Sequence, residues 1–181
     1  MQITLSMKPK PEVAVAANKL EHIPYTGTSG LYSAVVPRPD LVAKIMALAN
    51  ELALPTDEEA LHSTVIYSKK APPRSSNVAN SVNEDREYNG LLNAIDSWVG
   101  HNGKTYIVAK IVSEALSSLN ATFNRLGAEH TFVPYAPHIT LSDEVPVDDA
   151  MKARIEKINK RLASNPIELV FNGLILGDLE P

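Results

Sequence analysis

Two stretches of the chain repeat one small pattern. "LHSTVIYS" (61–68) and "PHITLS" (137–142) each set a histidine two residues ahead of a threonine, and the second histidine follows the first by 76 residues. Residues i and i+2 of a strand point to the same side, so His62 shares a face with Thr64, and His138 with Thr140. Each pair offers an imidazole that can move a proton near neutral pH and a hydroxyl that can hold an oxyanion. Two such pairs converging from opposite sides would bracket a phosphate. That arrangement suits cleavage of a phosphodiester beside a ribose 2′-hydroxyl. One neutral imidazole takes the proton of the attacking oxygen, and the opposite imidazolium protonates the leaving 5′-oxygen. The two hydroxyls stabilise charge on the non-bridging oxygens. The nucleophile is already in place on the substrate, so this chemistry requires no metal. Sequence leaves open which histidine is the base and which the acid.

The alternative is that these are ordinary strand residues, since threonine favours strands. Five histidines and nine threonines in 181 residues would give about a quarter of one His-x-Thr spacing by chance. Finding two, each inside an apolar strand pattern, favours the chemical reading. A metal site is disfavoured: there is no His-x-His or His-x₃-His spacing, and no acidic residue accompanies either pair on its strand. His22, His101 and His130 fall in expected loops with no partner pattern and read as surface residues.

Both pairs need strands to hold them, and the surrounding pattern supplies these. "GLYSAVVP" (30–37) reads as a strand closed by Pro37. Residues 40–54 form an amphipathic helix on Leu41, Ile45, Leu48 and Leu52, with Asp40 as N-cap. "ALHSTVIYS" is the next strand. Residues 69–89 are polar with a Pro-Pro pair and read as a long loop, a common place for a lid. Within that loop Lys69, Lys70 and Arg74 form a basic group, either attracting an anionic ligand or simply solvated. Two strands flank His101-Asn102-Gly103, a hairpin-turn signal. Ser113 opens a second helix whose apolar face carries Val112, Leu116, Leu119, Phe123 and Leu126, and Gly127 is placed to end it. A third helix carries Met151, Ile155, Ile158 and Leu162, and "IELVFNGLIL" supplies one or two closing strands. The order strand, helix, His-strand therefore occurs twice, Leu31 preceding His62 and Ile107 preceding His138 by the same 31 residues. This reads as a degenerate internal duplication. The expected fold is α+β and bilobal: two antiparallel sheets face a central cleft, with helices outside. Residues 1–28 are an N-terminal extension with a short strand at "QITLS", and residues 29–181 form a single domain.

Composition narrows the partners. A formal charge of −4 argues against binding duplex nucleic acid, which needs a basic surface. It does not exclude a compact anion in a polar pocket. The absence of cysteine removes disulfide, thiolate and Cys-ligated zinc chemistry and is compatible with a reducing cytoplasm. No stretch reaches the roughly 18 apolar residues of a membrane helix, and the N-terminus lacks a signal-like apolar run. No membrane association and no obligate protein partner are expected.

With the motifs in view, the chain resembles the 2H phosphoesterase superfamily, defined by two His-x-Thr/Ser-x motifs. "HSTV" (62–65) and "HITL" (138–141) match, the resemblance spans about residues 30–176, and Ser63 departs from the apolar residue usual at its place. "GLYSAVV", "LHSTVIYS" and "PYAPHITLS" together are similar to the phage anti-CBASS nucleases, which degrade the cyclic oligonucleotide signals of a bacterial immune system. That resemblance implies cleavage of cyclic di- and trinucleotides without cofactor or metal, in the cytoplasm of the infected cell. It also implies that Tyr32 and Trp98 contact bases and that Glu168 belongs to the pocket. The residues alone leave other roles open: core or rim aromatics for Tyr32 and Trp98, and the solvent side of a strand for Glu168. Tyr135 either lines the cleft or sits in a loop stiffened by Pro134 and Pro137. Two rivals stand beside this reading: an RNA-processing enzyme of the same superfamily acting on 2′,3′-cyclic phosphate ends or 2′-5′ linkages, and a module that sequesters nucleotides without cleaving them.

Overall fold

The structure, a computed structural model, describes residues 25–74, 77–78, 82, 86–100, 102–143 and 145–179. The expected strand at "QITLS", His22 and His101 lie outside these residues. The chain runs β1 (Gly30–Pro37), α1 (Pro39–Glu51), a 3₁₀ turn (Glu58–Ala60), β2 (Ser63–Ser68), β3 (Tyr88–Val99), β4 (Thr105–Val112), α2 (Glu114–Arg125), β5 (His138–Asp143), α3 (Asp149–Ser164) and β6 (Ile167–Leu179). The fold is α+β, as the pattern required.

The helix starts follow from local chemistry. Ser113 caps α2, its hydroxyl accepting from the Leu116 amide at 3.1 Å, and Asp148 caps α3 through the Met151 amide at 2.8 Å. Asp40 is not the N-cap of α1. Pro39, with φ already set for a first helical turn, starts the helix one residue earlier, and Asp40 instead pairs with Arg38 at 2.6 and 2.8 Å. Val112 likewise leaves the expected apolar face of α2: it ends β4 and is exposed. Gly127 closes α2 with a positive φ of 92°, and Gly103 turns the β3–β4 hairpin at φ 77°.

All six strands pair antiparallel in the order β2-β1-β6-β3-β4-β5. The two separate sheets expected from the duplication are thus joined, and β6 joins them. Its first residues, Ile167–Phe171, pair with Tyr88–Leu92 of β3; its later ones, up to Leu179, pair with β1. The two runs meet at Phe171, and Gly173, at φ 73°, is the bulged residue of the β1 pairing, where Val36 faces Asn172 and Val35 faces Leu174. The repeat is visible in the pairing: β1-α1-β2 and β4-α2-β5 each return an antiparallel neighbour after a helix. The sheet curls until its two edges, β2 and β5, approach one another.

Registry divides the sheet into two faces, because directly opposed residues share a side. One face carries Leu31, Val35, Leu92, Ile95, Ile107, Ala109, Ile111 and Leu174, all buried in the main core with residues from α1, α2 and α3. The opposite face carries the residues singled out in the sequence. On β6 and β1 it holds a small second core of Tyr32, Ala34, Ile175 and Leu179, bordered by Val36 and Tyr67. The chain entering β1 is tied down by Asp178, whose carboxylate accepts from the Thr26 amide and hydroxyl at 2.8 and 2.6 Å.

Candidate active site

Both motif strands begin alike. His62 stands directly before β2 and His138 opens β5. Each turns Nδ1 back to the carbonyl oxygen two residues earlier: Ala60 at 2.7 Å and Ala136 at 2.8 Å. A carbonyl only accepts, so Nδ1 carries the proton in both rings and Nε2 keeps its lone pair. The shared frame is therefore Ala-x-His-x-Thr-apolar, and the alanine two places before each histidine was a signal available in the sequence.

The strands also break register at the same point. Ala34 faces Thr64 while Ser33 faces Ile66, leaving Val65 as the bulged residue; Val108 faces Thr140 while Ile107 faces Ser142, leaving Leu141. A bulge takes one residue out of the ladder and is common beside functional sites. Here each bulged carbonyl is met by a side chain from the other half of the molecule. Asn120 of α2 donates to the Val65 oxygen at 2.7 Å, and Thr56, before the first motif, donates to the Leu141 oxygen at 2.7 Å. A third crossing bond runs from the Tyr135 hydroxyl to the Thr64 oxygen at 3.3 Å. These bonds fix one motif relative to the other.

The two imidazoles meet electrically. Burial pushes His62 below its ordinary range, the Ala60 carbonyl opposes that, and the charge of His138 adds to the depression. His138 is likewise pushed down by burial against the opposing Ala136 carbonyl. Both rings are thus shifted toward their neutral forms, and an anion placed between them would favour the charged ones.

The remaining expected residues divide. Trp98 packs against His138, ring centroids 4.6 Å apart and planes at 63°, and its indole N–H donates to Asp96 at 3.1 Å. Asp96 pairs in turn with Lys110 at 3.6 Å, and Lys110 faces His138 across the β4–β5 ladder. Tyr32 stands edge-on to His62 at 6.5 Å, and burial pushes its hydroxyl up to about 12, with a Thr64 hydrogen bond opposing. Only 1% of Tyr32 is exposed, so it walls the site and offers no open face. Tyr135 lies in the gap between β2 and β5 rather than in a detached loop, as its bond to Thr64 requires. Glu168 is exposed on the site face of β6, opposite Leu91, on a strand lying between the two motif strands in sheet order. It is on the common floor and outside the histidine cluster.

Sequence reading missed one member. His130 is not a bare surface residue: its Nδ1 accepts from the Tyr67 amide at 3.1 Å, its ring meets Tyr135 and Phe132 edge-on, and the charge of His138 reaches it. It lacks a threonine two places on, so the spacing search passes over it. Among the described residues no group of three or more His, Asp or Glu side chains is placed to hold a metal ion.

A family model described as anti-CBASS protein Acb1 matches residues 29–169. The chain belongs to the anti-CBASS Acb1 family. Relatives include the Acb1 proteins of Vibrio phage KVP40, 26% identical over 119 residues (65% of this chain and 74% of that one), and Enterobacteria phage T4, 31% identical over 116 residues (64% and 72%). The Acb1 of Escherichia phage RB16 is 31% identical over 132 residues, covering 72% of this chain and 65% of its own. Among solved structures, Usb1 of Kluyveromyces marxianus aligns over 84% of this chain and 99% of its own, at 8% identity and a TM-score of 0.47. The Acb1 match takes in both motif strands, Trp98 and Glu168, and stops within β6.

Proposed function

We propose that this chain is a phosphodiesterase of the 2H type that opens cyclic oligonucleotides and so counters CBASS, the system its relatives' names specify. The observation that carries the reading is the matched pair of imidazoles, each with Nδ1 held by a carbonyl, Nε2 free, and a threonine on the same strand face. Acid–base catalysis at a phosphodiester needs two Nε2 atoms in opposite protonation states, and a symmetric pair acquires them once an anion binds between.

In the first step, neutral Nε2 of one histidine takes the proton from a ribose 2′-oxygen. That oxygen bonds to phosphorus, the bond to the 5′-oxygen breaks, and the other histidine's Nε2–H protonates the departing oxygen. Thr64 and Thr140 donate to the non-bridging oxygens as charge builds on them. Water then opens the resulting 2′,3′-cyclic phosphate with the two histidines in exchanged roles. In this reading Trp98, held by Asp96, contacts a base, Glu168 accepts from a base amino group, and each strand–helix–strand half acts as one lobe of a bilobal site.

Incubating the protein with 3′,5′-linked cyclic di- and trinucleotides in the presence of EDTA and separating the products by chromatography tests the proposal. Linear products are expected from wild type, and a loss of at least 10²-fold in His62→Ala and His138→Ala, the lower end of one lost proton transfer. Stoichiometric capture of the ring with no linear product would establish a sequestering module instead. Turnover confined to linear 2′,3′-cyclic phosphate ends would move the chain to RNA processing.

A further inference from the structure

The loop between α2 and β5 is more rigid than its position suggests. Thr131 donates to the Tyr67 carbonyl through both its amide and its hydroxyl, each at 2.9 Å. The Tyr67 amide donates back to His130, and the Glu129 amide donates to the Ser68 hydroxyl at 3.0 Å. The loop thus lies along the outer edge of β2, bonded almost as a further strand would be. On this fixed scaffold Phe132 and Val133 are 52% and 84% exposed. Large apolar side chains held in water by a rigid loop contribute little to folding, and such placement marks a contact surface.

The exposed phenyl ring continues the wall of the site. Ring centroids step from His62 to Tyr32 at 6.5 Å, Tyr32 to Tyr67 at 6.3 Å, Tyr67 to Phe132 at 6.2 Å, Phe132 to His130 at 5.9 Å and His130 to Tyr135 at 5.5 Å. The arc begins at one catalytic histidine and reaches His130, which feels the charge of the other. Trp98 serves the His138 side, but Tyr32 on the His62 side is closed off. Phe132 is the most exposed member of the arc. Phe132 lines a cavity of about 380 Å³ together with Asn120, Asn124, Glu129, His130, Val133 and Tyr135. His130 differs from the catalytic pair in tautomer. Its Nδ1 already accepts from the Tyr67 amide, so the neutral ring carries its proton on Nε2 and acts there as a donor.

We infer that this loop forms a second nucleobase subsite, with Phe132 stacking on the base of the nucleotide across the ring from the one at Trp98, and His130 Nε2–H donating to an acceptor on that base. The inference rests on the cyclic-oligonucleotide reading above and adds where the second base goes. A base has an apolar face for Phe132 and acceptors at its edge for His130, the two things the cavity offers.

Equilibrium binding of a fully 2′-deoxy cyclic dinucleotide tests it, because that ligand keeps both bases and both phosphates but has no nucleophile and is not consumed. Wild type, Phe132→Ala and His130→Asn are titrated, the asparagine retaining an acceptor for the Tyr67 amide while withdrawing the donor. Phe132→Ala is expected to weaken binding roughly 5- to 150-fold, the span of one lost base stack. His130→Asn is expected to weaken it about tenfold, one hydrogen bond. Phe132→Ala should keep wild-type cleavage of uridine 3′-(p-nitrophenyl) phosphate, which has one base only. If wild type binds the ring and both variants bind it equally, the subsite is wrong while the functional reading stands. If wild type binds no cyclic dinucleotide, both fall. A parallel loss on the one-base substrate would show general damage to the site and overturn the subsite as well.

Discussion

At the scale of single residues, the direction of the histidine shifts fixes the acid side of the protein's behaviour. His62, His130 and His138 are all held below the ordinary 6.5 by burial. The unfolded chain therefore binds more protons than the folded one as pH drops below 6.5, so stability is full above that value and declines beneath it. Urea midpoints measured between pH 7.5 and 5 should fall with acidification, and the fall should shrink in His130→Asn. For catalysis, kcat/KM reports the free enzyme, rising as the base loses its proton and declining as the acid loses its own. With both histidines lowered, the bell should peak on the acid side of 6.5; a maximum above pH 7 would contradict the assignment. Ser63 gives a third check. It is fully buried, and its hydroxyl has no partner among the described residues. Ser63→Ala should stabilise the fold by on the order of 1 kcal/mol, read from chemical denaturation, since an unpaired buried hydroxyl is a net penalty. Spacing alone pointed to His62, Thr64, His138 and Thr140 as candidates, because a period of two is a local property. It could not disclose His130, whose role comes from a bond to a strand 63 residues away.

At the scale of elements, the crossed clamps on the two bulges set the distance between the motifs. Thr56→Val removes the donor to Leu141 and Asn120→Leu the donor to Val65, each leaving a bulged carbonyl unpaired. Each should cost about 1–3 kcal/mol in denaturation. Because Thr56 acts on the Leu141 carbonyl and does not line the proposed base cavity, the kinetic loss in Thr56→Val should fall on kcat more than on KM, and lower stability with unchanged kcat would show that this clamp only holds the fold. Helix and strand types were legible from periodicity, and Ser113 and Gly127 marked the ends of α2 as expected. Asp40 and Val112 were misplaced for local reasons: a proline at the first helical position outranks a neighbouring aspartate, and a strand that runs into a helix leaves its last residue on neither core. The bulges were invisible, since a bulge is a relation between two strands and not a composition.

At the scale of the molecule, the duplication was legible but its consequence for the sheet was not. Two halves suggested two sheets; the thirteen residues of β6 pair with both and make one. Gly173, at φ 73° in the bulge of the β1 pairing, has room for a methyl group, the nearest atom being Val36 Cγ2 at 3.7 Å. Gly173→Ala therefore tests backbone conformation alone and should cost about 1–2 kcal/mol, measured by thermal or urea unfolding. The middle strand of this sheet is also the last to be synthesised. While the chain is still threaded through the ribosome, β2-β1 and β3-β4-β5 can each pair, yet no strand joins the two groups into one sheet, and only the side-chain bonds from Thr56, Asn120 and Tyr135 cross between the motifs. A premature stop after Asp143 and ahead of Ile167 should therefore yield translation products with both motifs intact and turnover sharply reduced, and adding the missing strand as a separate peptide is the direct way to ask whether the halves wait for it.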